Sequence, residues 1–181
     1  GESQNMDQIV DAVKILSDVE NFKIHIVGAG SALQHTQERV NKEGLANKII
    51  FYGKRPYQEM PEFYRLADAC LLTLSNKTQT GLTIPGKLQG YMAAGKPIIA
   101  SINGDAADVI KEAACGICVP ADDAELLAKA MREFICNKEK YQNYGINARK
   151  YYEKYFTLEK HIDALNEQLK VMVRGNENLN D

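Results

Sequence analysis

Residues 79–87, which read QTGLTIPGK, combine a glycine, a helix start and a cation. Gly81 would let the backbone approach a ligand closely, and Pro85 is typical of the first turn of a helix. The first amides of such a helix have no partner within it and attract negative charge. Lys87 in that turn opposes the helix dipole, so an arriving phosphate explains it better than helix stability does. The alternative is an exposed lysine that destabilises the helix slightly.

Two further loops follow predicted strands and could meet a ligand at the same edge of a sheet. Residues 53–55 read Gly-Lys-Arg and add two cations. Residues 28–31 contain a G-x-G sequence, which begins the dinucleotide-binding fingerprint. Leu33 occupies the position of its third glycine, and no acidic residue ends the next strand to hold a ribose. Nicotinamide or flavin binding is therefore disfavoured, and a glycine turn is the better interpretation.

The four cysteines, Cys70, Cys115, Cys118 and Cys136, are expected to be structural. Cys115 and Cys118 form a C-x-x-C pair, which could indicate a redox motif or half of a zinc site. The sequence has no second such pair or histidine cluster to complete a metal shell, and no D-x-D pair placed to hold a metal. It thus predicts no metal site and no cofactor, in a reducing compartment such as the cytosol.

No residue of the chain stands out as a candidate for acid–base or nucleophilic catalysis. The histidines, His25, His35 and His161, have no nucleophile or carboxylate at an informative spacing, and we expect them at the surface or in packing roles. Ser75 and Ser101 lack the glycine-flanked elbow of hydrolases. The sequence therefore leaves the catalytic residues unassigned.

Composition and charge indicate one globular domain that acts through a specific site. The chain has 181 residues, 45% of them hydrophobic and 25% charged, and a formal net charge of −2. That charge gives no field to attract nucleic acid or an anionic membrane. No apolar run reaches the roughly 18 residues that span a bilayer, so we expect a cytoplasmic protein. The full-length protein could still associate peripherally with the inner face of the membrane.

Hydrophobic periodicity alternates between strand and helix along the chain. Strands are predicted at residues 22–27, 48–52, 69–74, 96–101 and 116–119. Helices are predicted at residues 6–16, 32–42, 58–66, 122–136, 140–155 and 158–173, with another that ends at Gly95. Five strands separated by helices imply right-handed crossovers and an α/β, Rossmann-like parallel sheet with helices on both faces.

The boundaries of this domain follow from the same pattern. Residues 1–174 are expected to form the domain and residues 175–181 a disordered tail. Asp122 and Asp123 are expected to cap the helix that follows them. Helical periodicity begins a few residues after Gly1, so we expect that a strand preceding the first helix belongs to a part of the protein outside these residues.

Several short motifs occur in a fixed order along the chain. They read IVGAG at 26–30, IFYG at 50–53, FYRLADA at 63–69, YMAAGKPIIAS at 91–101 and GICVP at 116–120. In this order and spacing they resemble the carboxy-terminal domain of the group 1, or family-four, glycosyltransferases. Members of that family have the GT-B fold, in which two Rossmann-like domains face each other across a cleft. The resemblance implies that this chain is the half that binds the sugar nucleotide, without the amino-terminal half that binds the acceptor.

The resemblance also implies a set of donor-binding residues. Main-chain groups at Gly53, Lys54 and Arg55 would meet the base, and a second set would hold the diphosphate: Gly81, Leu82, Thr83, Gly86 and Lys87. Gly90 stands where the family commonly has a glutamate that binds the ribose hydroxyls, which leaves Gln89 as the nearest substitute. The family's basic pair near the start of the domain has no clear counterpart in residues 1–14.

The predicted function is the donor half of a bacterial glycosyltransferase of surface-polysaccharide synthesis. It would move a sugar from a nucleoside-diphosphate sugar, with uridine as the base, to a glycan or a lipid-linked acceptor. Helix amides and Lys87, aided by Arg55, would stabilise the leaving diphosphate. Two alternatives stay open: a non-catalytic subunit that binds sugar nucleotides, suggested by Gly90, and a fragment of a Rossmann-like epimerase or dehydrogenase, which Leu33 disfavours.

Two further expectations concern the half that is absent. The isolated chain should have no transferase activity, because the acceptor site and the cleft are incomplete. The last predicted helix should leave an apolar stripe partly uncovered on the side that would face the other half. That stripe consists of Ile162, Leu165, Leu169 and Met172.

Overall fold

A computed structural model describes residues 4–76 and 84–177, in which short parallel strands alternate with helices. The strands are β1 Ile24–Val27, β2 Ile49–Gly53, β3 Cys70–Thr73, β4 Ile98–Ser101 and β5 Gly116–Val119. The helices are α1 Met6–Ile15, α2 Leu33–Lys42, α3 Met60–Leu66, α4 Gly86–Ala93, α5 Asp105–Glu112, α6 Ala124–Cys136, α7 Gln142–Tyr155 and α8 Leu158–Glu177. Short 3-10 turns, Tyr57–Glu59 and Lys138–Tyr141, precede α3 and α7. The predicted α/β class with parallel strands is confirmed.

The strands form two hydrogen-bonded groups. β1 pairs with β2, with Ile24 opposite Ile49, and β3, β4 and β5 pair in that order, with Cys70 opposite Ile98 and Ile98 opposite Gly116. Every pairing is parallel. Within the described part of the chain no ladder joins β1 to β3, so the continuous five-stranded sheet that the strand count suggested is divided.

Alternate side chains of the strands enter two hydrophobic layers, one on each face. One layer lies beneath α1 and α6 and includes Val13, Leu127 and the β4 residue Ile99. The other lies beneath α4, α5 and α7 and includes Met92, Ile110 and Ala100. All four residues of β4 are buried, as expected for the central strand of a three-stranded group covered on both sides.

Local chemistry explains several of the helix boundaries. The Asn5 side chain caps α1, and Oδ1 of Asp123 accepts from the amide of Leu126 at the start of α6. Gly44, with φ +71°, ends α2 in the left-handed region. α8 is helical as far as Glu177, four residues beyond the predicted end, so residues 175–177 of the predicted tail belong to a helix and 178–181 lie outside the description.

The four cysteines differ in burial. Cys70 and Cys115 are buried, Cys118 is half-buried, Cys136 is exposed, and all four are free thiols. Burial raises the pKa of Cys70 and of Cys115 to about 12, which opposes formation of a reactive thiolate. The expected packing role agrees with the burial of Cys70 and Cys115. No group of three potential metal ligands lies among residues 4–76 and 84–177.

The apolar stripe of α8 is exposed where the structure describes it. Ile162, Leu165 and Leu169 each expose about half of their area, at 47, 50 and 50%, which agrees with the prediction for them. The side chain of Met172 lies outside the described part. Despite this stripe, no helix within the described ranges has the length and apolarity needed to cross a membrane.

Candidate functional site

The start of α4 lies at the carboxyl edge of the β3–β4–β5 group. β3 and β4 are parallel neighbours, so the helix that joins them runs back against the strands and begins where β3 ends. Pro85, with φ −72° and ψ 139°, precedes the helix, and Gly86 and Lys87 are its first two residues. Their amides have no partner within the helix and carry the positive end of its dipole. This is the helix start predicted from the sequence.

Lys87 is a cation without a counter-ion among the residues described. Its side chain is exposed, but enough protein surrounds it that desolvation lowers its pKa. The ion pairs found in residues 4–76 and 84–177 involve other lysines, such as Lys14, Lys111 and Lys138. A partly desolvated charge without a partner costs free energy, and a bound anion would recover it.

The turn after β2 presents two more cations at the carboxyl edge of β1 and β2. Gly53 has φ +66°, a conformation that favours glycine, and its carbonyl accepts from the amide of Gly28 at 2.8 Å. Arg55 donates from Nε to the carbonyl of Tyr52 at 3.2 Å, which holds its guanidinium near the strand end. Lys54 and Arg55 are both exposed. The turn therefore offers main-chain groups and positive charge to a ligand above the sheet.

Five polar residues, Asn5, Ser75, Asn76, Asn103 and Asp122, form a network at the carboxyl ends of β3, β4 and β5, here called the Asp122 cluster. Asp122 accepts from Asn5 Nδ2 at 2.6 Å, from the Asn76 amide at 2.9 Å and from Ser75 Oγ at 3.3 Å. Asn103 donates from Nδ2 to Asn76 Oδ1 at 2.8 Å. The cluster thus fixes Asn76, the last described residue before 77–83, to the turn after β5.

A buried hydrogen-bond chain supports the Asp122 cluster from below. Gln8 of α1 donates from Nε2 to Ser101 Oγ at 2.7 Å, and Ser101 donates to the carbonyl of Pro120 at 2.8 Å. Ser101 is fully buried and Gln8 is 3% exposed. This serine is therefore a structural tie between α1, β4 and the turn after β5, consistent with the absence of a hydrolase elbow around it.

The paired aspartates have separate roles, which corrects one prediction. Asp123 alone caps α6, whereas Asp122 has φ +62° and turns its carboxylate to Asn5 and Asn76. The Asp122 cluster was missed from the sequence because its partners lie far apart along the chain. A usable signal was present, since one helix needs only one capping carboxylate.

The remaining predicted site residues divide between the described and the undescribed parts. Gly81, Leu82 and Thr83 lie outside the described residues. Gln89 and Gly90 lie in α4 behind Lys87, and a Cβ built on Gly90 would lie 3.6 Å from the Tyr64 hydroxyl. The space for a side chain at position 90 is therefore bounded by this hydroxyl.

The histidines occupy surface and packing positions, as expected. His25 stacks on Tyr52 with ring centroids 5.6 Å apart, and its Nδ1 lies 2.9 Å from the Tyr52 hydroxyl. His35 and His161 are exposed, and His35 lies 3.8 Å from Asp7. They form no nucleophile–base pair within the described ranges.

Residues 1–151 match the family described as "Glycosyl transferases group 1". The chain is 26% identical over 140 residues to the O-antigen chain mannosyltransferase C of Escherichia coli, covering 77% of this chain and 37% of that protein. It is 24% identical over 178 residues to a GDP-mannose-dependent phosphatidylinositol monomannoside mannosyltransferase of Mycobacterium tuberculosis, covering 96% of this chain and 45% of that protein. The chain therefore spans less than half the length of these relatives.

Solved structures share the fold at low sequence identity. Anabaena HepE in complex with UDP superposes with a TM-score of 0.80 and 17% identity, over 94% of this chain and 46% of that chain. The carboxy-terminal domain of a group 1 glycosyl transferase from Francisella tularensis superposes with a TM-score of 0.73 and 16% identity, over 87% of this chain and 82% of that chain. The chain thus spans less than half of the first solved structure and most of the second.

Proposed function

This chain belongs to the group 1 glycosyl transferases, and on that basis we propose that it is the nucleotide-sugar-binding domain of a two-domain glycosyltransferase. The whole protein would transfer a sugar from a nucleoside-diphosphate sugar to an acceptor held by its other domain. The coverage of 37 to 45% of the curated relatives is consistent with one domain of two. Family membership argues against the epimerase or dehydrogenase alternative.

The observation that carries this proposal is the start of α4. Free amides of Gly86 and Lys87, the helix dipole and an ammonium group without a described counter-ion meet at one point of the carboxyl edge. Breaking the bond between a sugar and a diphosphate develops negative charge on the leaving oxygen. Fixed donors at that oxygen stabilise the transition state more than the ground state, which is the requirement for catalysis.

We assign the base to the turn formed by Gly53, Lys54 and Arg55. Glycine in the left-handed conformation leaves the main chain of this turn accessible, and Arg55 is tied near the strand end by Tyr52. Uridine is the proposed base, supported by the UDP and UDP-glucose complexes of Anabaena HepE. The GDP-mannose-dependent relatives make guanosine the first alternative for the binding test.

The acceptor is proposed to be a growing glycan or a lipid-linked saccharide. The support is that the relatives include an O-antigen mannosyltransferase and mannosyltransferases named for a phosphatidylinositol mannoside. An acceptor of this kind would bring the full-length protein to the cytoplasmic face of a membrane as a peripheral protein. No part of the donor site proposed here requires a metal or a further cofactor.

Titration calorimetry with UDP, GDP, ADP and uridine tests the proposal directly on this chain. We expect UDP to bind, uridine to bind much more weakly because it lacks the diphosphate, and GDP and ADP to be discriminated at the base. Tighter binding of GDP than of UDP would replace uridine by guanosine in the proposal. Lack of binding by every diphosphate would overturn the donor site.

A non-catalytic subunit is the second candidate, favoured by Gly90 where the family commonly has a glutamate. Such a subunit would bind UDP in the same way, so binding does not separate the two. Release of UDP from a UDP-sugar by the full-length protein in the presence of acceptor lipids or glycans does separate them. Turnover supports the transferase, and binding without turnover over the whole acceptor panel supports the subunit.

A further inference from the structure

The hydroxyl of Tyr64 lies between helices α3 and α4, beside Gly90. A Cβ built on Gly90 would come 3.6 Å from this hydroxyl oxygen. Leaving aside the backbone of α4 and the residues on either side of Gly90, no other atom of the described residues comes within 4 Å of that Cβ position. Because glycine has no side chain, the Tyr64 hydroxyl borders a gap that the described part of the chain leaves unfilled.

Both positions lie about one helical turn below the carboxyl edge. α3 follows the turn after β2 and ends at the amino edge, where Nζ of Lys96, just before β4, donates to the carbonyl of Ala67 at 2.8 Å. α4 starts at the carboxyl edge after β3 and also runs to the amino edge. Tyr64 and Gly90 are each the fifth residue of their helix, roughly 6 Å below its start. The hydroxyl is therefore close to the edge where the candidate site begins.

The gap lies on the same side of α4 as Lys87. Residues three apart on a helix are neighbours on its surface, so Lys87 and Gly90 share one side. The buried residues of α4 are Leu88 and Met92, which place the core on another side. Gln89 is two positions from Lys87, and residues at that spacing do not face each other. The polar side-chain group that lies beside Gly90, below Lys87, is therefore the Tyr64 hydroxyl.

This hydroxyl is held in place and is free to bond a ligand. The Tyr64 ring packs edge-on against Tyr91, with centroids 6.0 Å apart and planes at 75°. Tyr64 has no hydrogen bond to another residue of the described ranges. Burial raises the pKa of Tyr64 above its usual value, so the group keeps its proton at neutral pH. A protonated phenol can both donate and accept a hydrogen bond.

The ribose of a bound nucleotide would have to pass this hydroxyl. The proposed function puts the base at the turn of Gly53, Lys54 and Arg55, which leads into α3, and the diphosphate at the start of α4. Ribose joins the base to the diphosphate, so it lies between the starts of these two helices. Its two neighbouring hydroxyls lose water in the complex and need polar partners there.

We propose that the Tyr64 hydroxyl binds the ribose hydroxyls of the nucleotide sugar in the gap beside Gly90. This assignment rests on the proposed function and deepens it. It gives to an uncharged phenol on α3 a contact that position 90 of α4 cannot make, and it gives that contact to Tyr64 rather than to Gln89. The ribose is common to uridine and guanosine nucleotides, so the contact serves either base and selects ribonucleotides over their deoxy forms.

Calorimetry with UDP and 2′,3′-dideoxyuridine diphosphate on the parent and on Tyr64→Phe tests the assignment. Phenylalanine keeps the ring that packs on Tyr91 and removes only the hydroxyl. We expect the parent to bind UDP about three- to tenfold more tightly than the dideoxy analogue, as one or two uncharged hydrogen bonds would give, and Tyr64→Phe to lose most of this preference. The ratio of two affinities on one variant does not depend on how much of that variant is folded.

Tyr144→Phe is the matched control. Tyr144 is also half-buried, and its ring also packs edge-on against an aromatic neighbour, Tyr141, with centroids 5.1 Å apart. It lies on α7 and borders neither the base turn nor the start of α4, so the control should keep the preference of the parent. If GDP binds better than UDP, GDP and its dideoxy analogue replace the uridine pair with the same expectation.

Several results would overturn the assignment. A preference for UDP that is unchanged in Tyr64→Phe would show that the hydroxyl does not bind the ribose, and so would a parent that does not distinguish the two ligands. Loss of the preference in Gln89→Ala but not in Tyr64→Phe would give the contact to Gln89. A parent that binds neither UDP nor GDP would overturn the donor site itself, which is a different failure from the loss of the ribose contact alone.

Discussion

Gly145 of α7 lies against the main chain of Gly95 so closely that a Cβ at position 145 would come 2.3 Å from the Gly95 carbonyl oxygen. Gly95 itself has φ +65° and follows the end of α4. The two glycines therefore hold α7 against α4 at backbone distance. Because Lys87 lies at the other end of α4, this contact helps to set where the candidate site stands relative to the sheet.

Replacing Gly145 by alanine should destabilise the domain by about 1–3 kcal/mol, since the added methyl group has no space against a backbone carbonyl. Gly90→Ala is the matched control, because position 90 is also inside a helix and its nearest neighbour is the Tyr64 hydroxyl at 3.6 Å. The control should be neutral or slightly stabilising, as alanine favours helix more than glycine does. Urea unfolding of both variants measures these effects. Equal stability of Gly145→Ala and the parent would contradict the close contact between Gly145 and Gly95.

The ion pair between Asp18 and Arg132 should make stability fall at acid pH. Both Asp18 oxygens accept from Arg132 at 2.7 Å, and this hydrogen bonding lowers the pKa of Asp18 from 3.8 to about 2. A pKa that is lower in the folded state gives stability that is present above the unfolded value and lost as pH falls through the folded one. The affected window therefore runs from about pH 4 down to about pH 2.

Urea titrations across that window measure the effect. Asp18→Asn should flatten part of the decline, because the amide does not titrate. Arg132→Gln should remove the same part, because the aspartate then keeps a pKa near its unfolded value. If the free energy of unfolding of both variants falls with pH as steeply as that of the parent, the ion pair does not contribute to the loss of stability in acid.

Asp122 should have two opposing effects on the stability of the fold. The hydrogen bonds that its carboxylate accepts should stabilise the fold, and its left-handed backbone conformation should destabilise it. Its side chain accepts from Asn5 and Asn76, while its φ of +62° is unfavourable for any residue with a Cβ. Asp122→Ala loses the acceptors and keeps the backbone cost, whereas Asp122→Gly loses the acceptors and removes that cost. We expect alanine to be less stable than glycine by about 1 kcal/mol.

The same pair of variants separates stability from ligand binding. Both remove the hydrogen bond between the Asp122 carboxylate and the Asn76 amide at the carboxyl edge, so both should weaken UDP binding to a similar degree. Thermal unfolding measures the stability difference between the alanine and glycine variants, and calorimetry measures the change in UDP affinity that they share. Unchanged UDP affinity in both variants would show that the Asp122 cluster does not serve the site.

This chain alone should transfer no sugar, although it should bind the nucleotide. It spans less than half the length of its curated relatives, and the proposed acceptor site belongs to the remainder. Product analysis with a radiolabelled UDP-sugar and an acceptor panel measures this. Transfer at a rate comparable to that of the full-length protein would contradict the two-domain proposal.

Periodicity and turn chemistry were enough to predict most elements of the fold. The run at 116–119 is β5 at the residues predicted, and the buried run at 96–101 contains β4, because a strand covered on both faces must be apolar throughout. The helix start before Lys87 was equally readable, since proline and glycine mark it locally. These features depend on neighbours within a few positions of the chain.

Features that depend on distant residues were not predictable. Asp122 meets Asn5 across 117 positions, and nothing in either local sequence indicates that contact. Tyr64 bounds the space at Gly90 from another helix, which no spacing rule reveals. The division of the sheet is of the same kind, because the periodicity of β1 and β3 does not show that no ladder joins them within the described residues.

Lys87 should be the charged residue on which nucleotide binding depends most. It stands at a helix start whose free amides already favour an anion, and desolvation lowers its pKa without a described carboxylate to offset the cost. Lys87→Ala should lose a charge-assisted contact of roughly 1.5–3 kcal/mol, or about ten- to a hundredfold in UDP affinity, with thermal stability unchanged or slightly raised.

Lys129→Ala is the matched control for Lys87→Ala. It replaces an exposed lysine on α6, at the opposite face, and should bind UDP as the parent does. Because the pKa is lowered, affinity in the parent should also begin to fall below the pH at which an ordinary lysine deprotonates, and Lys87→Ala should lack that step. A Lys87→Ala variant that binds UDP as tightly as Lys129→Ala would place the diphosphate elsewhere.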